Sequence, residues 1–499
     1  MTTRSPILVV GVDACDPATA YGLAATGHLP ALGRLFAGAA RCRVRNPFGL
    51  FVGALWVTFA TGLRPDRHRF HCWDEIDVAT YVRRLTTPQS AVGTPFWQTL
   101  SDAGRRVAVL DVPHSRAGAA IDGVQVVEWG CHDRHFGFHT WPPAAAVEIE
   151  SAFGLHPVLG LDAHTSREFA PDDYAHRAGP QRTTEEERLL FEGLLRGLDG
   201  KRRLSATLLA EGQWDLFLTV FGESHAIGHQ QWHLHDPRHP RFNPVTADAI
   251  GGDPVLQVYQ KLDTALGELL SLVDDRTTVL VLLSHGMGPH YDGTHLLDEV
   301  LHRIDLADRG ELLGGGSCAL TPCPEFVEPG DRARQRFFVE PNNYVYGGVR
   351  LNLTGREPNG CVQADEVDGV CARLTHDLLA LVNVATGGRV IRGVERADQW
   401  YRRSAADTMP DLFIDWERTA PIETVWSPKT GLVHAPYTHW RTGDHRPDGL
   451  LLAIGPGVPS DRVLPCVDLE DIAPSIAARL GVGLEDVDGR PVPWLTVRT

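Results

Sequence analysis

Three short apolar runs in this chain, Ile7–Val12, Leu216–Val220 and Val279–Leu283, each stop abruptly at side chains that bind metals or move protons. Asp13 follows the first, the histidine-rich stretch FGESHAIGHQQWHLHD (221–236) the second, and Ser284-His285 the third. Runs this short, rich in Val and Leu, read as buried strands. The longer patterns between them, Thr184–Glu211 and Asp253–Val273, read as helices. Such alternation predicts an α/β fold with a central, mostly parallel sheet flanked by helices. Ligands bind such sheets at the carboxyl edge of the strands, so the polar residues that end these runs are candidate site residues.

Within the second junction, His225, His229 and His233 recur at i, i+4 and i+8. On a helix, neighbouring imidazoles would stand about 6 Å apart along one face. That spacing lets two of them share an ion through ~2.1 Å bonds. A solvated, His-rich helix start fits the spacing equally well.

Further strands are expected at 106–110, 124–127, 344–353, 412–414 and 450–453, and further helices at 55–61, 95–103, 365–381 and 469–480. The 499 residues are expected to form one large domain spanning 1–499, with insertions at about 130–181 and 305–336 that read either as a lid or as decoration. A net charge of −16 argues against a nucleic-acid polymer as partner. A small anionic substrate remains compatible with a locally positive pocket. No apolar run approaches the ~18 residues of a membrane span, no signal peptide is apparent, and the nine scattered cysteines suit reduced thiols, so a cytoplasmic protein is expected. The oligomeric state stays open.

Five segments in order, ILVVGVDACDP, GALWVTFATGLRPDRH, WDLFLTVFGESHAIGH, VLVLLSHGMGP and TGDHRPDGLLLAIGPG, together resemble the alkaline phosphatase superfamily, specifically its type I phosphodiesterase and nucleotide pyrophosphatase branch. The resemblance runs from residue 7 to about residue 480. It implies an alkaline-phosphatase-like three-layer sandwich holding two metal ions, usually zinc, around a Thr or Ser nucleophile. On this resemblance Asp13, His225, His229, His285 and His445 match metal-ligand positions.

The chain departs from the family pattern at three of these places. The nucleophile position, nine residues before Thr61 of the Thr-Gly pair, is Val52, and no Ser, Thr or Cys occurs from Asn46 to Val57. Thr58, the nearest hydroxyl, falls in a helical pattern and reads as a packing residue. His225 stands where relatives carry Asp, and Ser284 replaces the Asp of Ser-Asp-His-Gly. One site thus becomes His225, His229 and His445, three imidazoles suited to a catalytic zinc ion. The other keeps only Asp13 and His285, which are then free to act as base or acid. One tightly held divalent ion is expected, zinc first with manganese or iron also compatible, and a second that is weak or absent.

Arg350 and Arg356, in a strand-and-turn pattern, are candidates for clamping an anionic substrate, with pairing to Glu357 or Asp365 as the structural alternative. Glu223 is a candidate for orienting a ligand imidazole, and His233 and His235 read as pocket wall. His439 is a weaker substitute for His445. Arg69, after His68, stands where relatives have Gly and predicts an altered turn.

The leading expectation is a metal-dependent hydrolase or group-transfer enzyme acting on a phosphate, phosphonate or sulfate (di)ester, with metal-bound hydroxide replacing the missing nucleophile. A re-purposed biosynthetic metalloenzyme doing lyase, redox or rearrangement chemistry comes second, and a binding protein without turnover third.

Overall fold

The computed structural model describes residues 5–77, 79–116, 118, 120–131, 135–157, 182–311, 332–404, 407–436 and 441–496. Strands β1 (Ile7–Val12), β2 (Ala40–Arg45), β3 (Val107–Leu110), β4 (Gly123–Val127), β5 (His139–Trp141), β6 (Leu216–Phe221) and β7 (Thr278–Leu283) enter the main sheet first. Next come β8 (Gly286–Pro289), then β9 (Phe337–Glu340), β10 (Tyr346–Leu351), β11 (Ile391–Arg396) and β12 (Leu412–Trp416), which form a smaller antiparallel sheet. β13 (Gly443–Arg446) pairs with β8 as a ribbon, and β14 (Asp448–Ile454) returns to the main sheet.

The main sheet runs β2-β14-β7-β1-β6-β3-β4-β5, with two short edge strands beside β2. β1, β6, β7, β3 and β4 are mutually parallel, and β14 and β5 are antiparallel to their neighbours. Every residue of β1, β6 and β7 is buried. That pattern requires cover on both faces: Leu8, Val10 and Val12 pack into one apolar cluster, Ile7 and Val9 into the other. This is the three-layer architecture expected from the alternation.

Helix α1 (Phe51–Thr61) packs on one face with α5 (Ile472–Arg479). Helices α2 (Thr184–Glu211), α3 (Glu223–His235) and α4 (Pro254–Ser271) lie on the other. α2 begins with a capping box, in which the Thr183 hydroxyl accepts from the Glu186 amide and the Glu186 carboxylate accepts from the Thr183 amide. α4 begins on the Asp253 carboxylate with Pro254 in its first turn.

Three expectations are corrected. α1 starts at Phe51, four residues earlier than its pattern suggests, which brings position 52 to the sheet edge. The strand expected over 344–353 is shorter because Asn343 and Tyr344 take positive φ, 54° and 66°, which a strand does not tolerate. Part of the first expected insertion is integral to the sheet: β5 extends it antiparallel to β4, followed by a helix over Ala144–Phe153. The rest of that insertion, residues 158–181, lies outside the described residues, as does most of the second, residues 312–331. Among the described residues no helix is long and apolar enough to cross a membrane.

Glu340, ending β9, is fully buried and accepts one hydrogen bond from the Ile76 amide at 2.8 Å. Burial pushes its carboxyl up to about 8, against the pull of Arg350. The unfolded chain releases this proton near the ordinary glutamate value, whereas the folded chain keeps it to about 8. The folded state therefore binds the extra proton in that window, and stability falls as pH rises through it. Urea unfolding between pH 5 and 8.5 should show this decline in the wild type and a flatter profile in Glu340→Gln. Identical slopes would remove Glu340 as the cause.

Candidate metal centre

Strand register decides where the site lies. Val12 stands opposite Phe221 on one side and Leu283 on the other, so β1, β6 and β7 end at the same level. The Asp13 amide donates to the Phe221 carbonyl at 2.9 Å, and the Ser284 amide to the Val12 carbonyl at 3.2 Å, which locks the three ends together. From β6 the chain turns at Gly222 straight into α3, which carries His225 and His229 along one face, as the i, i+4 spacing predicts.

α3 then crosses β13 at close range. A Cβ on Gly443 would lie 2.2 Å from the Gly228 carbonyl oxygen, so only glycine permits this approach. The Thr442 amide donates to the His229 carbonyl at 2.8 Å, and His229 Nδ1 donates to the Gly443 carbonyl at 2.8 Å. This second bond fixes the tautomer of His229 and turns its Nε2 toward His225 Nε2, 3.1 Å away. His445, two residues along β13, completes the group: ligand atoms of His225, His229 and His445 all lie within 4.8 Å of one another, and all three residues are buried. Converging imidazoles at that spacing fit one ion with ~2.1 Å bonds after small rotations.

Asp13, Ser284 and His285 come together beside this cluster but outside it. Asp13 Oδ1 accepts from Trp56 Nε1 and from the Ser284 hydroxyl, both at 2.9 Å. Ser284 Oγ also accepts from the Ala14 amide at 3.0 Å and stands 2.9 Å from His285 Nδ1. Because the hydroxyl proton is directed to Asp13, His285 Nδ1 must be the donor to Ser284. Its Nε2 is thereby left as the basic nitrogen, and its ring lies 4.4 Å from that of His445.

No hydroxyl occupies the nucleophile position. Val52 sits in the first turn of α1, and the Phe51 ring packs edge-on at 5.6 Å from His285 and 6.4 Å from His445. Thr58 is interior and hydrogen-bonded to His68 Nε2 at 2.9 Å. The Phe70 amide donates to His68 Nδ1, and burial drives His68 down to about 3, so its ring is neutral and Nε2–H is the donor to Thr58.

The two arginines expected to clamp substrate are held in ion pairs within the smaller sheet. Arg350 is fully buried, bound to Glu357 at 2.7 Å and to the Asp407 and Met409 carbonyls. Arg356 is paired with Glu357 and Asp411. Both are committed to holding the smaller sheet and its turn, so the structural alternative through Glu357 holds. Arg69 adopts a left-handed φ of 65°, the conformation glycine favours, and its amide closes the turn on the Pro65 carbonyl at 2.9 Å, so the turn expected to change is built with Arg69 in that backbone state. His233 touches Thr442 and Glu187, and His235 pairs with Asp253, so both stand apart from the cluster. His439 lies outside the described residues. Trp56 and Asn46, which donates to the Ser284 and Pro447 carbonyls, were not apparent from the sequence. Neither belongs to a residue type that marks a metal or acid–base site.

The sequence matches the type I phosphodiesterase / nucleotide pyrophosphatase family over residues 7–447. No curated protein matches. Among solved structures, murine ectonucleotide pyrophosphatase/phosphodiesterase 5 is similar at 13% identity, with 98% of each chain covered and a TM-score of 0.50. An inactive form of that protein in complex with AMP matches at 13% identity, 98% of each chain and a TM-score of 0.51. Phosphonoacetate hydrolase from Sinorhizobium meliloti 1021, in complex with phosphonoacetate, matches at 16% identity over 92% of this chain and 91% of that one, with a TM-score of 0.48. The likeness to the murine protein is one of fold.

Two substitutions check this geometry. His229→Ala should weaken zinc binding by about 100-fold or more, beyond the effect usual for an outer partner of a ligand. Competition with a chromogenic chelator measures it, and an unchanged affinity would rule out the three-histidine cage. Gly443→Ala should push α3 from β13, costing about 1–3 kcal/mol of stability and weakening metal binding together. Gly22→Ala, in open space on a helix, is the control and should leave metal binding unchanged without loss of stability.

Proposed function

Because the chain belongs to the type I phosphodiesterase / nucleotide pyrophosphatase family, we propose that it is a metal-dependent hydrolase of a small phosphate, phosphonate or sulfate (di)ester, reacting by a single attack of water. The observation that carries this reading is the convergence of His225, His229 and His445 beside a first turn of α1 that holds Phe51 and Val52 instead of a hydroxyl. Zinc suits an all-imidazole ligand set best. A divalent ion held there supplies Lewis acidity, drawing charge from the reacting group and acidifying water.

The chain's own residues do the rest. Three neutral imidazoles leave the full charge of the ion uncompensated, which favours an anionic substrate. His285, donating through Nδ1 to Ser284, is oriented to take or return a proton at Nε2. Asp13 holds Ser284, and through it His285, while Trp56 Nε1 holds Asp13. The Phe51 ring forms an apolar wall against His285 and His445 and keeps bulk water from that side. Cysteines among the described residues are free, which suits a cytoplasmic location.

The departures at positions 52 and 284 also favour a second reading, a biosynthetic enzyme that keeps the three-histidine site but performs another reaction. Inertness of metal-loaded protein toward every phosphate, phosphonate and sulfate ester tried, with iron as the native metal, would favour it over hydrolysis.

A single displacement inverts configuration at phosphorus, whereas a covalent intermediate retains it. Hydrolysis of a chiral phosphorothioate diester should therefore proceed with inversion, and retention would refute direct attack. His285→Gln should lower kcat by about 10²–10⁴ while leaving metal content unchanged.

A further inference from the structure

Two residues before His225 in α3, and about 200° around the helix from it, Glu223 points away from the cage. Its carboxylate is 1% exposed, and neither oxygen has a hydrogen bond among the described residues. The polar group facing it is His156 Nε2, at 3.6 Å, also buried and also without a hydrogen bond among the described residues. A buried carboxylate without hydrogen bonds is costly, and 3.6 Å is too long for one. It is close to the ~3.4 Å edge separating two ligands around a tetrahedral ion with ~2.1 Å bonds.

The surroundings remove the ordinary partners. Lys201, the nearby buried cation on α2, is taken by Asp111 at 2.6 Å, and Asp111 also accepts from the Trp129 and Gly130 amides. A place in the first turn of α3 sets Glu223 at the favourable end of the helix dipole, yet bonds neither oxygen. His156 cannot swing aside. A Cβ on Gly197 would lie 2.0 Å from its Nε2, one on Gly130 would lie 2.8 Å from its Cδ2, and the Trp129 ring abuts it at 5.4 Å. The sequence therefore spends two glycines on seating an imidazole against a bare carboxylate.

We propose that Glu223 and His156 are ligands of a second cation site, separate from the histidine cage and built on the other side of the same helical turn. Two carboxylate oxygens and one imidazole nitrogen make a mixed donor set for a divalent transition ion of the zinc and manganese class. With fewer protein ligands than the cage, the site binds more weakly. An ion here would also tie α3 to the segment that leaves the helix Ala144–Phe153, steadying the turn that presents His225.

Metal content per chain, measured by elemental analysis after equilibration against buffered free zinc, tests this in the full-length protein. Wild type should take up two equivalents, the weaker lost first as free zinc is lowered. Glu223→Gln and His156→Leu should each take up one, while His229→Ala should lose the tighter equivalent and keep the other. Saturation of wild type at one equivalent, or a second equivalent that survives both substitutions, overturns the proposal. Should the variants fail to fold, anomalous maps of zinc-equilibrated wild-type crystals decide it: a peak between Glu223 and His156 is expected, and density confined to the cage refutes the site.

Discussion

The close crossing of α3 over β13 is the contact on which this site depends. Gly443 lets the backbones meet where a Cβ would lie against the Gly228 carbonyl oxygen, and the meeting is fixed by a main-chain bond from Thr442 and by the His229 imidazole to Gly443. Those bonds set the height of α3 against the ribbon, and therefore the distance from His225 and His229 to His445. A one-residue slip along β13 would turn His445 to the opposite face. Register and glycine packing, more than the attraction of imidazoles for a metal, define the cage.

Beside the cage the molecule resolves a different problem. Asp13 is buried at the end of the central strand and must have its charge compensated. Trp56 and Ser284 donate to it, and Ser284 passes the constraint on to His285. A carboxylate that accepts two neutral donors demands less of a cation than one that accepts none. Replacement of an expected aspartate by Ser284 and of an expected hydroxyl by an apolar turn thus fit together. Less negative charge at this edge leaves a hydrogen-bonded chain of Asp13, Ser284 and His285 where two carboxylates would call for a second ion.

The buried arginines show the opposite allocation. Arg350 and Arg356 look like anion clamps in sequence, yet their guanidinium groups are absorbed by Glu357, Asp411 and main-chain carbonyls of the smaller sheet. A fully buried guanidinium with such partners cannot leave them for a substrate without exposing unpaired carboxylates, a cost of several kcal/mol. In the proposed function, recognition of an anion falls instead to the histidine cluster and the ion it would hold.

The three central strands with the helices that precede two of them, the edge at which polar residues gather and the helical face shared by His225 and His229 were legible in the sequence alone, because periodicity and abrupt apolar-to-polar boundaries are local properties of the chain. The absence of a hydroxyl from Asn46 to Val57 was equally legible. The resemblance grouped His445 with His225 and His229, but tertiary structure alone decided how closely the three converge, that Trp56 and Ser284 hold Asp13, that Glu357 rather than Asp365 pairs with Arg350, and that Glu223 faces His156. Each of these pairings is set by strand register or by close approach of backbones far apart in sequence, and neither distance nor direction between such residues is encoded in any local pattern.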